Sequence, residues 1–330
     1  MLRKRNIHAL VFSFLHILTK NKGVNMCTSL AFKTNDFYFC RNMDLDYHFG
    51  EKVVVMPRGY KLTLKHEIPR NTKYAIIGMA TVHNGYPLYA DGANERGLCV
   101  SALSFEGEGK YNDIMPGRLN LTSYEVIPYI LSNCASVDEA CRHLKNVQIT
   151  NASFDEKTPS TPLHWHIADA THSVVLESMD NGIKIYENPT GVLTNAPSFD
   201  FHLKNLSLYN NLKPLPPNEN DPSLGLSMLG LPGDFSSTSR FVRLSILKKF
   251  ARCEPDEGSS MSTALRLMLS VSPIKGITLT KKGKEHYTTY TCIINATQGI
   301  YSYITQESLE IKSVPLKNYA NESTLSCIEL

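Results

Sequence analysis

Hydrophobic and polar positions along the chain change period several times, and each change marks an element. Residues 27–32 and 37–41 are short apolar or aromatic runs separated by Lys33-Thr34-Asn35-Asp36, which predicts a hairpin. Residues 53–56 form another apolar run that stops at Pro57-Arg58-Gly59. Residues 74–82 and 98–103 predict strands, split by the Asp91-Gly92 turn and by 94–97. The period then lengthens. Val126, Ile127, Ile130, Leu131 and Cys134, followed by Val137, Ala140, Cys141 and Leu144, recur at helical spacing. They predict two consecutive helices within 123–145, with Ser136 the N-cap of the second and Glu139 completing a capping box. Strand patterns resume at 163–168, 173–177 and 183–186. Residues 241–250 and 261–271 read as helices, and 287–295 with 300–305 alternate like a closing hairpin. Strands come in blocks with helices grouped between them. That pattern predicts an α+β domain, antiparallel sheet covered by helices, not a wound βαβ sheet. Residues 213–231, with Pro214, Pro216, Pro217 and Pro222, predict a long surface loop rather than a domain linker.

Composition narrows the class. The chain has 330 residues, 42% hydrophobic and 20% charged, which excludes a disordered or collagen-like protein. The net charge is +3, from 34 basic and 31 acidic residues with no long basic run, and this excludes a dedicated nucleic-acid binder. Eight cysteines are scattered along the chain without a C-x-x-C, so most read as reduced, buried, small hydrophobes.

The first twenty-five residues differ from the rest. Arg3, Lys4 and Arg5 precede an apolar run from Ile7 to Leu18, interrupted by His8, Ser13 and His16. The segment has the charged head and short apolar stretch of a signal peptide, without the usual small-residue cleavage site. It is too short to span a bilayer comfortably. The alternative is that translation starts at Met26. We therefore read 1–26 as an extension absent from the active protein and 27–330 as a single domain. Localisation follows from that choice: cytoplasmic if synthesis starts at Met26, exported if the segment is a working signal.

Several chemical motifs fail. No phosphate-binding G-x-x-x-x-G-K-[ST] and no G-x-S-x-G elbow occurs. Ser245-Ile-Leu-Lys248 matches S-x-x-K but lies inside an amphipathic helix without its companion motifs. His164-Trp165-His166 puts two histidines on one face of a strand, with no carboxylate cluster nearby to complete a metal site.

Met26-Cys27-Thr28-Ser29 carries chemistry. Removal of Met26 gives a chain that begins with a thiol and a free α-amine on one residue, a nucleophile with its own base. An α-amine has a reference pKa of about 7.7–8.0, so near neutral pH an appreciable fraction accepts a proton. Inside a longer chain the same nitrogen is an amide and has no basicity.

The surroundings of Cys27 point to a family. Cys27-Thr28-Ser29-Leu30, Arg41-Asn42-Met43-Asp44 and the run from Tyr89 to Leu98 come first. Pro162-Leu163-His164-Trp165, the run from Gly191 to Pro197, and Gly230-Leu231-Pro232-Gly233-Asp234-Phe235 with Ser239-Arg240-Phe241 follow. In this order and spacing the blocks resemble the choloylglycine hydrolase family of bile salt hydrolases and penicillin V acylases. The resemblance implies an αββα sandwich that hydrolyses a non-peptide C–N amide bond, with no metal or cofactor. It implies Cys27 as nucleophile and N-terminal base, Asp44 as the carboxylate that holds the amine, and Arg41 as the guanidinium beside the thiol. It implies Asn195 as the side-chain oxyanion donor, Ser104 as the backbone one, and Arg240 as a second active-site arginine. The chemistry is consistent: a cation near sulfur favours thiolate, and a fixed amide N–H stabilises a developing oxyanion.

Two departures bear on substrate. Ser104 stands where bile salt hydrolases of the family have Asn and penicillin V acylases Tyr. The Gly-rich loop before Leu231 is shortened to Gly225-Leu226-Ser227-Met228-Leu229. Met43, His83 and Phe154 fall where family members line the acyl pocket. The expected substrate is a small-molecule N-acyl amide, a conjugated bile salt first, with penicillin V or another N-acyl amide such as an acyl homoserine lactone as alternatives. If residues 1–26 stay attached, the protein is an inactive precursor or a ligand-binding relative. A papain-like Cys/His enzyme would need a histidine partner for the thiol. No nucleic-acid partner and no membrane span are expected, and the resemblance implies a homo-oligomer, a tetramer.

Overall fold

A computed structural model describes residues 26–156, 158–215, 225–280 and 282–330. The signal-like segment 1–25 and the centre of the proline-rich loop, with Pro216, Pro217 and Pro222, lie outside the described residues.

Two antiparallel sheets dominate. The first runs, edge to edge, Val192–Leu193, Met26–Lys33, Phe37–Leu45, Glu285–Asn295, Ile300–Thr305 and Lys312–Pro315, with Thr278–Leu279 pairing the head of the longest strand. The second runs Gly182–Glu187, Ser173–Met179, Leu163–Ala168, Cys99–Ser104, Asp91–Asn94, Ile76–His83, Lys52–Met56 and Ser326–Ile328, with Tyr86–Tyr89 folded back on Ile76–His83.

The opening hairpin is covered on both faces, and all of Phe37–Leu45 is buried. The ring of Phe39 lies 5.0 Å from that of His166 in the second sheet, so Phe39, Arg41 and Met43 look between the sheets. Asn42 points the other way and donates to the Met268 carbonyl at 2.8 Å. Helices Ser237–Phe250 and Glu257–Leu269 bury Phe241, Leu244, Ala264 and Met268 against that outer face. Val126–Asn133 and Val137–Leu144 bury Ile127, Ile130, Leu131 and Ala140 against the second sheet. The layers are helix, sheet, sheet, helix, the α+β sandwich that the patterning and the resemblance together predict.

Local expectations differ in detail. Ser136 Oγ caps Val137–Leu144 by accepting from the Glu139 amide at 3.3 Å. Glu139 Oε2 reaches back to the Ala135 amide at 2.6 Å rather than to Ser136, so the box closes one residue early. Helix Phe199–Leu206 follows its own pattern poorly, with only Phe199 and His202 buried, and sequence periodicity missed it. All eight cysteines are free, and Cys27, Cys40, Cys99, Cys134 and Cys292 are buried.

Candidate active site

The opening hairpin brings four of the expected site residues to one place. Its register pairs Cys27 with Met43 and Ser29 with Arg41, and sets Asp44 opposite Met26. The Cys27 thiol accepts from Arg41 Nη2 at 3.4 Å and lies 3.8 Å from the Met43 sulfur. The same Nη2 donates to the Ala102 carbonyl at 2.7 Å, and Nη1 meets Asp91 Oδ2 at 3.3 Å. Burial opposes the Arg41 charge, but the acidic groups around it, Tyr290, Cys27 and Asp91, outweigh burial and raise its pKa.

Asp91 is the residue that sequence reasoning missed. Its Asp-Gly context reads first as a turn signal. It is fully buried, and beyond Arg41 it accepts the hydroxyls of Tyr290 and Tyr301, each at 2.7 Å.

Asn195 and Arg240 arrive from distant segments. Asn195 Oδ1 accepts from the Cys27 backbone N–H at 2.9 Å and from Arg240 Nη2 at 2.8 Å. Its Nδ2 donates to the Ser104 carbonyl at 2.9 Å. Two donors on one side and a carbonyl on the other fix which way the amide points. Nδ2 carries two hydrogens, and the Ser104 carbonyl takes one. Arg240 Nη1 also donates to the Cys27 carbonyl at 2.6 Å and to Thr28 Oγ1, and Nε to the Phe235 carbonyl at 3.0 Å. Burial lowers the Arg240 pKa against the pull of Asp44 and Cys27.

Asp44 is fully buried. Its Oδ1 accepts the Thr288 hydroxyl at 2.6 Å, and Oδ2 has no partner among the described residues. Burial pushes its carboxyl up to about 6, against the opposing effects of Arg240, the Thr288 bond and Arg41. Ser104 closes the Cys99–Ser104 strand and is buried, with Oγ unpartnered among the described residues.

Met43 therefore sits at the thiol, whereas His83 and Phe154 form an aromatic cluster of their own. Their rings are 5.5 Å apart and edge-to-face, and His83 Nε2 bonds Asp155 Oδ2 at 2.9 Å. Phe154 also packs on Tyr86 and Tyr124 at 5.6 and 5.1 Å. The two alternative motifs resolve into structural contacts. His166 bonds Ser29 Oγ and Ser173 Oγ, each at 2.8 Å, and His164 bonds Glu177 and the Thr194 carbonyl. Lys248 Nζ donates to the Thr190 carbonyl at 2.5 Å, while Ser245 Oγ has no partner among the described residues, so the S-x-x-K pair makes no nucleophile–base contact. Among the described residues no helix is long and apolar enough to cross a membrane.

Two facing antiparallel sheets between helical layers define the fold class as that of the N-terminal nucleophile hydrolases. The chain belongs to the family of linear amide C–N hydrolases, the choloylglycine hydrolase family, which its residues 27–329 match. It is 37% identical over 307 residues to a bile salt hydrolase/transferase of Lactiplantibacillus plantarum, covering 91% of this chain and 95% of the relative. The crystal structure of a mutant conjugated bile acid hydrolase from Clostridium perfringens superposes with a TM-score of 0.85 at 32% identity, covering 92% of this chain and 97% of that one. A penicillin V acylase from Agrobacterium tumefaciens shares the fold with a TM-score of 0.75 at 21% identity, covering 92% of this chain and 91% of that one.

Proposed function

We propose that the protein hydrolyses the amide bond of conjugated bile salts and releases glycine or taurine, with Cys27 as nucleophile and its own α-amine as base. One observation carries the reading. Cys27 presents its sulfur to Arg41 at 3.4 Å while its nitrogen faces Asn195 Oδ1 at 2.9 Å, so thiol and nitrogen of one residue are held by separate partners. Relatives named as bile salt and conjugated bile acid hydrolases supply the substrate class.

In the proposed reaction Met26 is removed, and the nitrogen becomes an amine. Asp44 Oδ2, unpartnered among the described residues, is the acceptor for an added amine hydrogen. The thiol proton passes to the amine, and sulfur bonds to the carbonyl carbon of the substrate. The second Nδ2 hydrogen of Asn195 and the Ser104 backbone N–H donate to the resulting oxyanion. The C–N bond then breaks, and the ammonium proton goes to the leaving nitrogen. Water adds to the thioester, giving one proton to the same amine. The C–S bond breaks, and that proton returns to sulfur. Arg41 stabilises the thiolate at the start and end of the cycle. Met43 flanks the reacting carbonyl, and His83 with Phe154 offers an apolar wall for the acyl group.

The active form starts at Cys27 and acts in the cytoplasm, and the exposed Leu208, Leu215 and Leu229 around residues 199–231 serve subunit contact in a tetramer. The test uses chain expressed from Met26. Intact mass reports loss of Met26. Glycine and taurine release is followed from glycocholate and taurocholate, with penicillin V alongside. Release that disappears in Cys27→Ala supports the proposal. Loss of Met26 without turnover of either bile salt refutes the substrate assignment, and turnover by a chain that retains Met26 refutes the amine as base.

A further inference from the structure

The two peptide planes that flank Asn195 are clamped by side chains from three other elements. On the Thr194–Asn195 plane, His164 Nε2 donates to the Thr194 carbonyl at 2.8 Å, and the Asn195 N–H donates to Ser237 Oγ at 2.9 Å. On the following plane, the Asn195 carbonyl accepts from Ser237 Oγ and from His202 Nε2, each at 2.8 Å. Burial lowers the His202 pKa to about 4, so that ring is a neutral one-proton donor.

His164 is different in kind. It lies on the central strand Leu163–Ala168 and is fully buried, as is Glu177 on the neighbouring strand Ser173–Met179. Its Nδ1 faces Glu177 Oε1 at 3.3 Å, and its Nε2 faces a carbonyl oxygen. A carbonyl oxygen only accepts, so Nε2 carries a hydrogen, and the Nδ1–Glu177 contact needs one more proton shared between the two groups. Glu177 Oε1 is itself held by the Phe199 N–H at 2.9 Å. The ring of His164 stacks on Phe105 at 4.4 Å with planes 10° apart. Phe105 follows Ser104, and Thr194 precedes Asn195. One imidazole thus touches the neighbour of each residue joined by the Asn195 Nδ2–Ser104 carbonyl bond.

We propose that His164, oriented by Glu177, is the positioning residue that holds Asn195 and Ser104 at their mutual spacing. The proposal rests on the reading of these two residues as oxyanion donors. A donor displaced by about 1 Å forfeits on the order of 10²-fold in rate.

The test compares three substitutions in the chain expressed from Met26. His164→Gln puts an amide nitrogen near the place of Nε2 and keeps the Thr194 bond. His164→Asn reaches only towards Glu177. His164→Phe keeps the stack on Phe105 and loses both hydrogen bonds. In amide hydrolysis, His164→Asn and His164→Phe are expected to lower kcat by about 10²-fold with KM little changed, and His164→Gln to recover most of the loss. Melting temperatures of the three are measured in parallel, because a merely structural role ranks activity by melting temperature instead of by the Thr194 bond. Equal kcat in the Gln and Asn variants overturns the proposal, as does a change carried by KM. Crystal structures of the same variants provide a readout apart from turnover. The Asn195 Nδ2–Ser104 carbonyl contact is expected to lengthen beyond hydrogen-bond distance in His164→Asn and to persist in His164→Gln. An inactive parent chain sinks the catalytic reading, and the crystallographic distances then decide the positioning role by themselves.

Discussion

Asp91→Asn tests whether the charge beside Cys27 depends on a buried counter-ion. Asp91 and Arg41 have side chains 0% and 1% exposed. The substitution keeps the shape of the side chain but leaves one oxygen for two hydroxyls, because Tyr290 donates to Oδ2 and Tyr301 to Oδ1, and it removes the carboxylate that faces Arg41. Breaking a buried pair from one side costs about 3–5 kcal/mol, because the remaining charge is left without compensation. Unfolding entropy near the melting point is about 2.1 cal/mol/K per residue, so over 330 residues the cost corresponds to a fall in melting temperature of roughly 4–7 °C. Arg41→Met removes the other partner, and Asp91 then retains two tyrosyl donors. The double variant removes both charges, and its loss is expected to fall short of the sum of the singles by up to about 3 kcal/mol. Calorimetry on the parent, both singles and the double variant closes the cycle. Additive losses, or an Asp91→Asn protein that melts within about 1 °C of the parent, refute the claim that the pair is energetically coupled.

Asn195→Ala is expected to lower kcat by about 10²–10³-fold with little change in KM, measured by initial-rate release of glycine. In the proposed reaction the ionised form of Asp44 holds the amine, so an acid limb in kcat/KM is expected near its carboxyl value of about 6; Asp44→Asn is expected to remove that limb and most of the activity. Its raised value also means that the folded protein binds this proton more tightly than the unfolded chain. The Asp44 contribution to stability therefore declines as pH rises from about 4 to about 6, and denaturant melts of parent and Asp44→Asn across that window check the sign. Gly191→Ala is expected to destabilise the protein, because Gly191 has φ +64° and a Cβ there would sit 2.5 Å from Lys248 Nζ and 2.8 Å from the Ala31 carbonyl; an unchanged melting temperature would contradict this.

What could be read from the sequence was local or carried by collinear blocks. Cys27, Arg41, Met43 and Asp44 lie on one hairpin whose alternation is visible in 27–41, so their proximity follows from a single turn. Asn195 and Arg240 entered through resemblance, since no periodicity links them to Cys27 across 168 and 213 residues. The contacts between the sheets were illegible. Asp91 looks like a turn residue until Arg41 of the facing sheet supplies its charge partner. His164 and His166 resemble a ligand pair by spacing, but the space between the sheets gives them carboxylate, carbonyl and hydroxyl partners instead. Met43 lies at the thiol while His83 and Phe154 pack with Tyr86 and Tyr124, a separation that depends on contacts between strands and loops and is not visible in the sequence.

The order of strands in the first sheet has a consequence for synthesis. Phe37–Leu45, which carries Arg41 and Asp44, is flanked on one side by the strand that bears Cys27 and on the other by Glu285–Asn295. Asn195 and Arg240, which hold the Cys27 backbone, also lie far downstream. At about 5–20 residues per second, the growing polypeptide exists for roughly 13–50 s with the Cys27 thiol made and Glu285–Asn295, the second partner of Phe37–Leu45, still untranslated. Early in that interval, until residues 237–269 are made, the hairpin has no helical cover on its outer face, and until Asn195 is made the Cys27 nitrogen lacks its acceptor. Cys27 is made early, and the side chains and strands that surround it in the folded protein follow over more than 250 further residues.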